Sequence, residues 1–333
     1  MFVESIDIKE FKGIVHCKTP LSFSEFTVMI GRNDSGKSSI LEALSLVPLY
    51  NYPLPYSGQN RYETVQRLHG GKSSFVYGYS GEALLTCKIH RRTWALRIKD
   101  NGEVSLGIEG VEKDVMDKNV VYAIGEALDI PAVRSDSWRD IQNQVFFIPN
   151  DTSFLNDMFV KLGQEENRSM VTKMGSHVRV TKDLINKCID DSYTEILFAP
   201  ELSARKVGED RSPLYVKLKD LGDGVEKVVL VALWLETINP SLVLWDDFEG
   251  SAHPSLIRVL LEWLSEKPWQ VIMSTHSIDV ITSLLEVKPK NAKVIQLKKT
   301  NDILIQKDLT LEDLGDIVDT SQDPRTLVDS LTL

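Results

Sequence analysis

Near the amino end of the chain, Gly31–Ser39 reads GRNDSGKSS. A glycine, four residues and then Gly-Lys-Ser is a spacing with a chemical use: it wraps backbone N–H groups around a phosphate. A helix starting at the lysine adds the positive end of its dipole. In that scheme Asn33, Asp34, Ser35, Gly36 and Ser39 form the cradle, and Lys37 reaches the β- and γ-phosphates. The Ser38 hydroxyl ligates Mg²⁺. Two further groups fit the same chemistry. Asp246-Asp247 ends the apolar run Leu242-Val243-Leu244-Trp245, and His276 follows the apolar run Val271-Ile272-Met273. Asp246 is expected to hold Mg²⁺ through water, and Asp247 to orient or deprotonate an attacking water. His276 is expected to contact the γ-phosphate. The competing explanations are helix capping near Pro254 for the acids and a structural role for the histidine.

These groups need an edge to stand on. Phe26-Thr27-Val28-Met29-Ile30 ahead of the glycines reads as a buried strand, and Ile40, Leu41, Leu44 and Val47 behind them have helical spacing that Pro48 is expected to stop. Apolar strands followed by helices recur at 26–47, 242–266 and 271–286. The fold class is therefore α/β: a mainly parallel core sheet with crossover helices, an antiparallel β-subdomain and a short helical lobe. Parallel strands deliver their carboxyl ends to one edge, where Lys37, Asp246 and His276 would meet.

Elsewhere the patterns are less regular. Phe2 to Ile8 alternates roughly as a strand, and residues 49–72 read as a long loop with one helical turn. Phe75-Val76-Tyr77, Ala83–His90, Trp94–Ile98 and Val104–Ile108 read as an antiparallel meander, with Asn101-Gly102 as a hairpin turn. Its face at Lys88, His90, Arg91, Arg92, Trp94 and Arg97 is basic with an aromatic in it, a pattern that suits DNA. A solvated strand face is the competing explanation, and the acidic composition favours it. Residues 152–194 read as two or three helices. Glu195–Ala199 and Leu214–Leu218 read as strands around a polar loop, SARKVGEDRS, ahead of an apolar helix at Val225–Ile238. Val294–Leu297 and Ile303–Ile305 close the pattern, and the tail from Leu311 reads as an acidic helix.

Composition bounds the function. Net charge is −10, so any nucleic-acid contact must be local. Three scattered cysteines, Cys17, Cys87 and Cys188, suit reduced thiols in the cytoplasm and no metal site. The charged, alternating start reads as no signal peptide, and the longest apolar run, Val228 to Leu235, is too short to cross a membrane.

With these pieces placed, the chain resembles the ABC-type ATPases of the SMC, RecF and OLD superfamily nearly end to end. Phe11-Lys12-Gly13 looks like their F-[KR]-[GS], and GRNDSGKSSILEAL like their G-x-N-x-S-G-K-S-S-x-L-E-A-L. Asp246-Asp247-Phe248-Glu249 with His253-Pro254 is similar to their D-E-x-E…H-P block, and Ser274–Ser277 to their T-H-S switch. Leu221-Gly222-Asp223-Gly224 stands where that group carries its L-S-x-G signature.

The resemblance implies an ATP- and Mg²⁺-dependent homodimer in which segment 220–225 of one protomer, with Gly222 and Gly224, closes on the ATP held by the other, and in which Lys12 also serves the nucleotide. It implies one ATPase head over 1–333: an amino-terminal lobe with the phosphate loop and meander (1–150), a helical and signature lobe (151–220), a Walker B and switch lobe (221–310) and a tail (311–333). Two departures predict slow turnover. Gly222 replaces a serine, and Asp247 replaces the longer glutamate base. Gln144 is the candidate for the glutamine-loop residue. No heptads form an SMC-like arm, and no Toprim nuclease motif follows His276. The resemblance thus points to an ATPase switch in DNA repair or phage defence, working with a separate nuclease or effector. The alternatives are a transporter ATPase subunit and an ATP-gated dimerisation module with little turnover.

Overall fold

The short apolar runs form the middle of the molecule. In the computed structural model, which describes residues 2–110, 120–130, 138–189, 191–198, 201–208, 211–250 and 252–331, they lie side by side in one large sheet. The strands in chain order are β1 (Val3–Phe11), β2 (Ile14–Cys17), β3 (Leu21–Ser22), β4 (Phe26–Gly31), β5 (Glu82–Ile89), β6 (Arg92–Lys99), β7 (Val104–Ile108), β8 (Val145–Ile148), β9 (Tyr193–Leu197), β10 (Ser203–Val207), β11 (Pro213–Lys217), β12 (Leu242–Trp245), β13 (Gln270–Ser274), β14 (Ala292–Thr300) and β15 (Ile303–Thr310). The helices used below are α1 (Lys37–Leu49), α2 (Arg61–His69), α3 (Ser153–Leu162), α4 (Asp223–Ile238), α5 (Pro254–Ser265), α6 (Ile278–Val287) and α7 (Leu311–Asp319).

The large sheet has the order β7-β6-β5-β1-β2-β15-β14-β4-β13-β12-β8, with β3 beside β1. Its half from β14 to β8 is all parallel. Strands β4, β8, β12 and β13 are buried along their whole length, as strands covered on both faces must be. Register aligns their ends: Trp245 pairs with Ile148 and Met273, and Ser274 with Met29. The loops after β4, β8, β12 and β13 therefore leave from one edge. The meander β5–β6–β7 continues the same sheet through β1 with antiparallel pairing. A separate antiparallel sheet, β11-β10-β9, leads into α4.

Several local expectations change. Helix α1 runs through Pro48 to Leu49, giving up one ladder hydrogen bond in its last turn and ending just beyond the proline. The presumed loop at 49–72 contains α2, whose start is capped by Asn60 accepting the Glu63 N–H at 2.8 Å. Its first residue, Arg61, is fully buried and donates to the carbonyls of Gln142 and Val145 at 2.9 and 2.8 Å, pinning the start of β8. Phe75–Tyr77 forms short 3₁₀ turns rather than a strand, touching Phe11 by one bridge at Val76. The polar loop SARKVGEDRS contains β10, which pairs on both sides. No described helix is long and apolar enough to cross a membrane.

Candidate active site

The loop after β4 is shaped by contact. A Cβ on Gly31 would meet the Leu297 carbonyl oxygen and Ser35 Oγ at 2.5 Å, so only glycine lets β4 pass this close to β14 before turning. Gly36 then leads into α1, and Lys37 is its first residue. The Lys37 side chain curls back over the loop, donating to the carbonyls of Gly31 at 3.0 Å and Arg32 at 3.1 Å. Burial lowers its pKa, against the pull of Asp247, Asp246 and Glu249. Asn33 and Asp34 are exposed at the loop tip, where Lys299 Nζ pairs with Asp34 at 2.9 Å. Ser35 Oγ is buried with no hydrogen-bond partner, and Ser38 is exposed at the mouth with Ser39 half-buried behind it.

The two acids leave β12 in different directions. Asp246 is buried at 7% exposure and accepts from Ser274 Oγ at 2.5 Å. Burial raises its pKa, against hydrogen bonds from Ser274 and Ser38 that lower it. Asp247 has a left-handed φ of 47°, its N–H donates to the same Ser274 Oγ at 2.9 Å, and its carboxylate turns outward. One hydroxyl on β13 thus fixes the turn that separates the two acids. The His276 Nε2 lies 3.9 Å from Asp247 Oδ1, and the His276 N–H donates to Glu249 Oε1 at 2.7 Å.

The donor set suits a magnesium triphosphate. Ser38 and Asp246 offer hard oxygen ligands, and Asp246 is a buried carboxylate whose charge lacks a full counter-ion. The Lys37 ammonium is held by loop carbonyls that anionic phosphate oxygens outcompete as partners. Among the described residues no group of three or more His, Cys, Asp or Glu could hold a metal by itself.

Comparison with known proteins bears on the fold and on two stretches of the chain. Residues 1–56 match a family model described as an AAA ATPase domain, and residues 202–282 one described as an AAA domain, putative AbiEii toxin, type IV TA system. The fold matches an SMC head bound to the C-winged helix domain of ScpA, with TM-score 0.64 and 14% identity over 94% of this chain and 99% of that one. An SMC head with an extended coiled coil, bound to the C-terminal domain of ScpA and derived from Pyrococcus furiosus, gives TM-score 0.59 and 12% identity over 96% and 99%. AAA ATPase family models thus match two stretches of the chain, and its fold is that of SMC heads. The SMC head domain of Thermotoga maritima gives TM-score 0.50 and 17% identity over 93% of this chain and 100% of that one. An uncharacterized protein of Methanocaldococcus jannaschii, MJECL11, is 24% identical over 107 residues, 30% of this chain and 94% of that protein.

Within this fold, Lys37, Asp246, Asp247 and His276 stand together at the sheet edge, as their strand ends require. Lys12 sits deeper. Its side chain is 10% exposed and ion-paired with Glu42 of α1, and burial lowers its pKa although Glu42 and Asp246 pull the other way. Gly222 and Gly224 lie at the exposed start of α4, with Gly222 at φ 109°.

Two sequence expectations are corrected. Gln144 precedes β8, where its side chain engages Ser241 and the Asp140 carbonyl at the amino end of the strand, away from the acids. The residue that follows β8 does reach them: Asn150 Nδ2 hydrogen-bonds Asp247 Oδ2. Strand polarity decides this, because only residues after a parallel strand arrive at the site edge. Trp94 is fully buried, since it alternates with Leu96 and Ile98 toward the core while Arg97 faces outward. The outer face carries acids among its bases: Lys88 lies 3.5 Å from Glu4, and Arg97 2.9 Å from Glu82.

Sequence reasoning also passed over Lys227 on α4. Its ammonium rests against the Walker B loop, at 2.6 Å from where a Gly250 Cβ would stand. Burial lowers its pKa, against the pull of Asp247 first and then Glu249 and Asp246. The signal was present as LGDGVEK, a lysine one turn into the helix that starts at the signature segment.

Proposed function

We propose that the protein binds and slowly hydrolyses ATP with Mg²⁺, and that two copies close around two ATPs as a switch. The observation that carries this reading is the convergence of Lys37, Ser38, Asp246, Asp247 and His276 on one sheet edge, with Asp247 and His276 3.9 Å apart. In the reading, Asn33–Ser39 cradle the phosphates, with Lys12 supporting them from behind α1. Ser38 and Asp246 hold Mg²⁺, which supplies charge neutralisation across the phosphate oxygens. Asp247, steered by Asn150, accepts the proton of the attacking water, and His276 donates to the γ-phosphate oxygen. Gly222 and Gly224 offer the N–H groups and helix dipole of α4 to the ATP of the second copy.

Asp247 is one methylene shorter than glutamate and already bonded to Asn150, which supports slow turnover. The experiment is sizing of the Asp247→Asn protein with and without ATP and Mg²⁺. A dimer that forms only with nucleotide is expected; a monomer at high concentration with ATP bound rejects the closure.

The biological setting proposed is DNA repair or phage defence with a separately encoded nuclease or effector. The toxin–antitoxin wording of the second family match supports a defence role. DNA would meet Lys88, Arg91, Arg92 and Arg97. Charge reversal at Arg91 and Arg92 should weaken binding and its salt dependence, and unchanged binding discards that surface.

A further inference from the structure

The last stretch of chain lies on the switch. After α7, residues 323–331 run back along β14 toward the phosphate loop. Gln296 Nε2 donates to the Pro324 carbonyl at 2.7 Å, and Val328 is 1% exposed. Lys298 Nζ donates to the carbonyls of Asp329 at 2.8 Å and Leu331 at 2.7 Å, and the Asp329 carboxylate pairs with Arg32 of the phosphate loop. Between these anchors stands Arg325. Its Nη1 donates to the His276 carbonyl at 2.7 Å. Its Nε and Nη2 grip the Asp323 carboxylate at 2.9 and 2.5 Å. On its other side the His276 N–H is held by Glu249 Oε1. The main chain of the switch histidine is thus clamped at both its N–H and its C=O, by Glu249 of the Walker B loop and by Arg325 of the tail.

We propose that Arg325 is a positioning residue for His276, so that the carboxy-terminal tail completes the catalytic site. The proposal rests on the ATPase reading above. The segment from β13 to α6 is only Thr275–Ser277: the Thr275 N–H still bonds the Met29 carbonyl of β4 at 3.1 Å, and beyond it the His276 peptide is held by Glu249 and Arg325. A small rotation about the His276 peptide is amplified at the imidazole tip, and a displacement of about 1 Å can cost about 100-fold in rate. Asp323 holds the guanidinium in a two-point fork before it meets the carbonyl, so little freedom is lost in making that bond. Lysine could keep the charge beside Asp323, but it lacks the rigid fork that serves Asp323 and the carbonyl together.

The test uses the full chain and four variants: Arg325→Ala, Arg325→Lys, His276→Ala and the Arg325→Ala/His276→Ala double. ATP turnover and ATP affinity are measured on each. Arg325→Ala should lower kcat about tenfold with ATP affinity within about twofold of wild type, since the histidine is displaced but the phosphate cradle is not. Arg325→Lys should fall between, and the double variant should be no slower than His276→Ala. Additive losses, an unchanged kcat in Arg325→Ala, or a loss of affinity that matches the loss of kcat overturns the proposal. The His276 imidazole resonances in nucleotide-free protein give an independent readout. They should shift in Arg325→Ala, and unchanged resonances overturn the proposal even if wild type shows no turnover. Absent turnover by itself counts against the ATPase reading instead.

Discussion

The two ends of α4 belong to different worlds. Its carboxyl half is buried from Val228 to Thr237 and packs against the helices at Ser153–Leu162, Glu165–Met174 and Ser176–Val180. Its amino end, with Gly222 and Gly224, projects from β11, whose residues Pro213 to Tyr215 are all exposed. The groups of the candidate catalytic edge are held within one chain: Lys37 by its loop carbonyls, Asp246 by Ser274, Asp247 by Asn150, and His276 by Glu249 and Arg325. The signature segment has no such surroundings, and a Cβ added at Gly222 would meet nothing within 4 Å. Groups that must hold a transition state are built into rigid structure, whereas a surface that waits for a second molecule is left open. If that contrast is right, variants at the edge should damage a single protomer, and variants at the signature should damage only closure.

The largest effect is expected at Lys37. Lys37→Ala removes a charged donor from the phosphates and should weaken ATP binding about 100-fold or more by calorimetry. Binding within a few-fold of wild type would dissolve the site. Next is Asp247→Asn, which keeps the shape and removes the base. Turnover should fall about 100-fold to 10,000-fold while ATP affinity persists. Lys227→Met is expected to cost about tenfold in kcat, with Lys227→Arg recovering most of it. Equal rates for all three proteins would make Lys227 a packing residue.

How much of this was legible beforehand follows the same divide. Asp246 and His276 could be found because each closely follows an apolar run, and a parallel strand states where its carboxyl end goes; Lys37 stood out by its place in the glycine-rich spacing. Asn150 and Arg325 could not, because their partners lie far along the chain: Asn150 meets Asp247 and Arg325 meets His276 only after the strands have stacked. The helix at Arg61–His69 had its signals in the sequence, an asparagine cap and a following glycine, but tyrosines and prolines around it masked them. Strand β10 was hidden because Ala204 is the single buried residue in it and Val207 is exposed, which leaves no apolar alternation to read.

Gly222 sharpens the signature side of the comparison. Its φ of 109° with ψ of 147° is a conformation that serine adopts only under strain. Gly222→Ser, although it restores the residue usual in the superfamily signature, should therefore lose about 1 kcal/mol or more of stability. It should also impair ATP-driven closure while leaving ATP affinity of the single protomer unchanged. Tighter closure in Gly222→Ser would mean that the start of α4 rearranges on meeting its partner.

The smallest effect tests the catalytic edge from the opposite direction. Burial at Asp246 favours the protonated form and raises its pKa. Because its pKa is raised on folding, the folded chain holds that proton more tightly than the unfolded chain. The associated stability is present in acid and is lost as pH rises through the raised value. At neutral pH without nucleotide, Asp246 is thus a cost to the fold. Asp246→Asn should raise the melting temperature there by about 1–2 °C, with the gain shrinking toward acid pH. Adding Mg²⁺ and ATP should reverse the order, since the ion stabilises only the carboxylate. If Asp246→Asn melts lower than wild type at neutral pH without nucleotide, Asp246 is a structural acid held by Ser274, and the edge was not assembled at the expense of stability.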